Sequence, residues 1–246
     1  ALELLEKNSA EKAPPAEAFN LMRPRSFCPA CKVGIKARHL APILSYLFLR
    51  GKCASCGKQI SPRYPLVEIL AGLTTLLIVW IFGLTVTGML ACLLTWALIC
   101  LALIDHDSQM LPTSITLPLL WLGLLANLFG IFASIEAAVA GAMFGYLTLW
   151  GVAHAFKLVT GKVGMGHGDF HLLAALGAWL GWQFLPQIIL VSSLMGAVAG
   201  GVALLRYRES RYYPFGPYLA IAGWVALVWG KEINQLYMSY TSWPMS

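Results

Sequence analysis

Charge is what this sequence has least of. Only 11% of its 246 residues are Asp, Glu, Lys or Arg, against roughly 25% in a soluble domain, which excludes an ordinary water-soluble globule. Acid is scarcer than base, with 11 Asp and Glu against 17 Lys and Arg, so each acid in an apolar stretch needs a reason. Several signatures of large function classes are missing too. The chain has no GK[ST] ending for a phosphate-binding loop, no HExxH metalloprotease pair and no Rossmann-type glycine fingerprint. It has no strand alternation, heptad series or repeat of fixed period. No secretory signal opens it: "ALELLEKNSAEKAPPAEAF" is polar, mixed in charge and without an initiating Met, and a preceding segment is expected.

What is present is apolar: 59% of residues are hydrophobic. A helix rising ~1.5 Å per residue needs about 20 residues to cross a bilayer core of ~30 Å, and uncharged runs of that order recur. The pattern predicts an all-α polytopic membrane protein with seven spans: 66–82, 85–104, 111–132, 137–156, 169–185, 187–205 and 215–230. The apolar run from Leu172 to Leu205 is too long for one helix, and Pro186 in "GWQFLPQ" is taken as the break. Residues 1–65 then form a polar segment and residues 66–246 a transmembrane domain.

Eleven of the 17 basic residues precede Leu66. A basic segment beside membrane helices reads as cytosolic under the positive-inside rule rather than as a nucleic-acid surface, so the expected partner is lipid and not nucleic acid. Alternation then puts "DHDSQMLP", "KLVTGKVGMGHGD" and "RYRESRYYPFGP" on the cytosolic face, and only Lys231 lies outside.

The polar segment holds two CxxC pairs, Cys28 and Cys31, then Cys53 and Cys56, with 21 residues between the pairs. Two such turns can aim four thiolates at one Zn²⁺, as in a structural zinc ribbon. A reducing cytosolic setting argues against persistent disulfides. Four sulfur ligands leave no position for a metal-bound water, so the metal is expected to be structural. His39, between the pairs, is the alternative ligand. Cys92 and Cys100 lie in an apolar run and read as small buried hydrophobes.

Past residue 65 the acids are Glu68, Asp105, Asp107, Glu136, Asp169, Glu209 and Glu232. Asp105 closes the run "LALIDHD" and Asp169 opens "GHGDFHLL", both at expected cytosolic ends. Two carboxyl groups in one pocket can share a proton, one acting as base on a water and the other as acid on a carbonyl oxygen. Asp169 as a helix N-cap is the other reading, and spacing alone leaves Asp107 as eligible as Asp105. Gly164, Gly166 and Gly168 would leave room for an extended substrate backbone beside Asp169. His106, His154, His167 and His171 lack metal-site spacing, and Lys162 is either a substrate-pocket residue or a snorkelling lysine.

Taken together, "CPAC…CASC" in a basic loop, "RYPLVE", "IDHDSQMLPTSITLPLLWLGLL", "GKVGMGHGDFHLLAALGAWLG" and "PFGPYLAIAG" resemble the prepilin peptidases, the bifunctional leader peptidases and N-methyltransferases of type IV pili and type II secretion. The resemblance spans essentially the whole chain. It implies an aspartyl dyad of Asp105 and Asp169, in a GxGD element shared with presenilin-like and preflagellin peptidases. It implies a prepilin or pseudopilin substrate with a basic leader ending in Gly, a multi-pass place in the bacterial inner membrane with the site facing the cytoplasm, and S-adenosylmethionine as methyl donor, whose binding residues it does not place. It also implies an eighth, N-terminal helix absent here. Thr113 and His171 stand where the family often has an acid and a Lys. Glu68 is a candidate to bind the basic leader or the new N-terminal ammonium. The competing reading is a transporter or secretion-assembly component with Asp105 and Asp169 carrying protons or cations.

Overall fold

The structure, a computed structural model, describes residues 27–28, 30–34, 42–162, 164–207 and 214–241. His39 and Glu209 lie outside them. The described residues form helices and no strand, with two isolated β-bridges, Phe27 with Gly34 and Lys52 with Gln59. In chain order the helices are α1 (Pro42–Phe48), α2 (Arg63–Phe82), α3 (Val86–Ser108), α4 (Thr113–Leu128), α5 (Ile135–Thr160), α6 (His167–Leu180), α7 (Leu185–Tyr207) and α8 (Gly216–Thr241). The chain divides into two compact units, one ending at Gly72 and the other starting at Leu73.

Among the described residues four helical stretches are long and apolar enough to cross a membrane: Arg63–Phe82, Val86–Ser108, Ile135–Thr160 and Trp182–Val202. The seven-span expectation is therefore met in part. Helix α4 is apolar but has 16 residues. Helix α6 has 14, and every residue from Phe170 to Leu180 except His171 is buried, so protein rather than lipid surrounds it. Helix α8 runs through Lys231 and Glu232 to Thr241, eleven residues past its expected end at 230.

The break expected at Pro186 is displaced. Pro186 sits in the first turn of α7, where its missing N–H has no intrahelical partner to lose. The chain turns instead at Gly181, whose φ of 90° only glycine adopts readily, followed by a 3₁₀ turn over Trp182–Phe184. The other difference that matters for function is at the end of α3. Asp105, His106 and Asp107 continue the helix, which stops at Gln109 in left-handed conformation with its N–H on the Asp105 carbonyl. Asp105 thus sits within the last turns of α3 and not in a loop.

Helix α6 packs most extensively on α5 and α4 and also against α8. On the α5 side Gly141 and Gly177 meet backbone to backbone, and Gly145 faces the Leu173 carbonyl. The spacing of Gly141 and Gly145 is the small-xxx-small pattern that brings apolar helices close. On the α4 side the fully buried Trp179 lies over Gly123, and its indole N–H donates to the Leu119 carbonyl at 2.7 Å. These contacts fix the depth of α6, and with it the position of Asp169 on its first turn.

Candidate active site

Asp105 and Asp169 are buried, 5% and 6% exposed, among mostly apolar buried residues, and Leu111 lies against both Gly168, next to Asp169, and Gly216, next to Asp105. Asp107, two residues on, is exposed. Burial distinguishes the two acids that spacing leaves equally eligible, because the helical turn that carries Asp105 inward carries Asp107 outward.

The two acids are held differently. Asp105 Oδ2 accepts the backbone N–H of Gly216, the first residue of α8, at 2.9 Å. Asp169 is the third residue of α6, after Gly166 as N-cap, and its Oδ1 is buried with no hydrogen-bond partner among the described residues. A buried carboxylate oxygen without a donor is costly, and such an atom is available to a water or a substrate group.

The glycines before Asp169 differ in what they do. A Cβ on Gly168 would stand 2.5 Å from the Leu111 Cβ, and one on Gly164 would meet the Phe156 ring at 2.6 Å. Those two glycines allow the chain to pack on itself. Only at Gly166 is there space, the nearest atom to a Cβ being Asp169 Oδ2 at 3.8 Å. Room beside the acid is therefore a property of Gly166. Lys162 is exposed in the turn after α5, its N–H donating to the Thr160 hydroxyl. Glu68 is half-buried on α2, in the first unit. His154 and His171 place Nδ1 against the carbonyls of Trp150 and His167, one turn earlier. No group of histidines and acids converges on a metal-sized position among the described residues.

Leu111 and Gly216 belong to this site and were not singled out from the sequence. Leu111 touches Gly168 through its backbone and Cβ, and its Cδ1 lies 3.1 Å from where a Gly216 Cβ would be. The signal for Gly216 was the Gly-Pro step opening an apolar helix in "PFGPYL". An isolated leucine carries none.

The four cysteines converge as their spacing predicts. Their Sγ atoms all lie within 4.8 Å of one another, and those of Cys28 and Cys56 are 3.9 Å apart. A tetrahedron with Zn–S of ~2.3 Å sets its sulfurs about 3.8 Å apart, so this set could hold a metal ion. Each pair sits on the same turn. Cys28 N–H donates to Val33 and Lys32 N–H to Cys28; Cys53 N–H donates to Lys58 and Gly57 N–H to Cys53. The residue after the second cysteine is left-handed in both, Lys32 at φ 58° and Gly57 at φ 70°. A two-fold repeat of the knuckle, invisible as sequence identity, is present as geometry.

Backbone N–H groups prepare the thiolates. Those of Cys31 and Ala30 hold the Cys28 thiol down at about 6, and those of Ser55 and Cys56 lower Cys53. At Cys56 the Lys58 N–H pulls downward, but Cys53, burial and the other two thiols outweigh it and push the group up to about 11.

Residues 92–201 match the type IV leader peptidase family, and residues 8–82 match the bacterial peptidase A24 N-terminal domain. A protein of Pseudomonas aeruginosa named prepilin leader peptidase/N-methyltransferase is 53% identical over 94% of this chain and 80% of its own length. The chain belongs to the type IV leader peptidase family. Relatives of the same name from Neisseria gonorrhoeae, 51% identical over 85% of this chain and 73% of theirs, and from Legionella pneumophila, 48% over 90% and 78%, agree. No solved structure matches the chain. In this leader peptidase the family match contains both buried acids, and the N-terminal match contains all four cysteines.

Proposed function

We propose that this chain cleaves the leader from type IV prepilins or pseudopilins at the cytosolic face of the bacterial inner membrane, with Asp105 and Asp169 as the catalytic pair, and methylates the new N-terminal amine. The observation that carries the peptidase reading is the pair itself. Two acids from separate helices are buried among mostly apolar residues on either side of Leu111, one anchored by a backbone N–H and the other with an oxygen that has no partner among the described residues.

The chemistry needs one proton shared by the pair. The ionised carboxyl takes a proton from a water as its oxygen attacks the scissile carbonyl carbon, and the protonated carboxyl gives its proton to the carbonyl oxygen. The gem-diol collapses as the first carboxyl passes its newly gained proton to the departing amine and the second takes back a hydroxyl proton, restoring the starting state with neither metal nor covalent intermediate. Gly166 offers the gap through which an extended backbone approaches Asp169. Acids at the ends of α3 and α6 suit a scissile bond where a basic leader meets an apolar helix. The seven-span arrangement, with α4, α6 and α8 crossing alongside the four long helices, supports the cytosolic placement through the distribution of Lys and Arg.

The cysteines would hold a structural Zn²⁺ that clips the two knuckles together. Methylation, with S-adenosylmethionine as donor, is supported by the names of the relatives, and no step is derived for it. Lys162 is proposed as a substrate-pocket residue and Gly168 only as a packing residue; Glu68, in the first unit, is proposed separately to bind the basic leader or the new N-terminal ammonium.

The test is cleavage of a purified prepilin in detergent by the parent protein, Asp105→Asn and Asp169→Asn. Each variant should lose at least about 10²-fold in kcat while retaining expression and metal content. Full cleavage by either would refute the dyad, whereas proton-coupled transport lost in the same variants without any cleavage by the parent would favour the carrier reading.

A further inference from the structure

The geometry points to Gly216 as a positioning residue for the reaction: its backbone N–H sets the orientation of the Asp105 carboxyl, and its missing side chain is what allows that carboxyl to lie where it does. The inference rests on the proposed peptidase reading and extends it to a helix beyond the residues that match the leader peptidase family, which end at 201.

The first N–H groups of a helix have no partner within it. Gly216 opens α8 and directs one of these donors onto Asp105 Oδ2 at 2.9 Å, in a buried position. A hydrogen bond to a carboxylate in such surroundings is short-range, directional and stronger than one between neutral groups. It fixes one oxygen of Asp105 and so determines where the other points.

The requirement for glycine here is steric. Gly216 is not among the glycines with positive φ, so its backbone conformation does not itself demand glycine. A Cβ, however, would lie 2.5 Å from Asp105 Oδ2, 3.0 Å from its Cγ and 3.1 Å from Leu111 Cδ1. Any side chain would push the carboxyl away from the N–H that holds it.

Leu111 ties this arrangement to the other acid. Its Cβ fills the place a Gly168 side chain would take, next to Asp169, and its Cδ1 reaches Gly216. Two glycines, one beside each acid, therefore close on opposite ends of one leucine, which sets the spacing between the start of α6 and the start of α8. Asp169 Oδ1 has no donor among the described residues, so the pair is asymmetric: one acid is held by the protein and the other is left for water or substrate.

The experiment is steady-state cleavage of a prepilin by the parent protein, Gly216→Ala and Gly223→Ala, with thermal unfolding in detergent for all three. Gly223 lies on the same helix, and a methyl there would collide with the Leu176 side chain away from the acids. Gly216→Ala should lower kcat by about 10²-fold, the scale of a misplacement of ~1 Å, with KM within about threefold. Gly223→Ala should lower the unfolding temperature with kcat per folded molecule unchanged. An amide-to-ester replacement at Gly216, which removes the N–H and adds no atom, covers the case in which the alanine variant does not fold, and should lower kcat about tenfold or more. Parent-like kcat per folded molecule in Gly216→Ala or in the ester would overturn the assignment. Failure of the parent to cleave would instead overturn the peptidase reading beneath it.

Discussion

Asn127 holds Trp179 by its backbone: its Nδ2 donates to the Trp179 carbonyl at 2.9 Å and to that of Ala178 at 2.8 Å. Its Oδ1 accepts the N–H groups of Phe132 and Ala133, both at 3.0 Å. One fully buried amide thereby satisfies carbonyls at the end of α6 and amides in the turn between α4 and α5.

Replacing this side chain should be costly out of proportion to its size. Asn127→Leu leaves buried backbone groups unsatisfied at about 1–3 kcal/mol each, so a loss of about 3 kcal/mol or more is expected. Asn127→Asp should be worse, since it sets an oxygen against two carbonyls. Thermal unfolding in detergent checks both, and an unfolding temperature equal to the parent's in either variant would contradict the account.

The α5–α6 contact gives a second expectation. Methyl groups at Gly141 or Gly177 run into the opposing backbone, which cannot move aside as a flexible side chain would. Gly141→Ala and Gly177→Ala should each cost about 1–3 kcal/mol. They should also reduce cleavage, because α6 carries Asp169. Gly151 is on the same helix α5 with nothing within 4 Å of a Cβ, so Gly151→Ala should be neutral or stabilising by up to about 1 kcal/mol. Equal effects at 141 and 151 would show that propensity, not close approach, governs these glycines.

The parts of this architecture legible in the sequence are those with a local chemical signature. The cysteine pairs announce their turn by spacing, and Asp105 and Asp169 stand out because acids are rare in apolar runs. Spacing does not separate Asp107 from Asp105 and the family resemblance favours Asp105; α3 continues through both, with Asp105 inside and Asp107 outside. The position of the chain reversal near residue 181 was misread because proline is a strong breaker within a helix but fits a first turn, while the positive φ of Gly181 leaves no mark in composition. Leu111 and the indole-to-carbonyl bond of Trp179 could not be read, since both depend on which helices become neighbours.

The two cysteine knuckles make a prediction by comparison with each other. Lys32 adopts the left-handed conformation that glycine occupies at the equivalent position, Gly57, and a side chain there costs about 1–2 kcal/mol. Lys32→Gly should therefore strengthen metal retention modestly, and Gly57→Ala should weaken it by a similar amount. Competition against a chelator of known affinity reads both. A weaker Lys32→Gly site would mean that the lysine contributes through its cation, which lies 5.3 Å from the Phe27 ring centroid, more than it loses through its backbone.

Metal removal separates the two sites chemically. Four sulfur ligands complete a tetrahedral Zn²⁺ and leave no position for a reactive water, and cleavage by two acids requires no metal. Stripping the ion should therefore open residues 28–56 to protease first, and activity should decline on the timescale of that opening. Cys31→Ser and Cys56→Ser should show the same sequence of events without any chelator. The decisive measurement is cleavage within the first moments after chelation, while the cysteine unit still resists protease: activity retained at that point fits a structural ion, and activity lost at once and restored by added Zn²⁺ would place the metal in the chemistry and remove Asp105 and Asp169 from their proposed role.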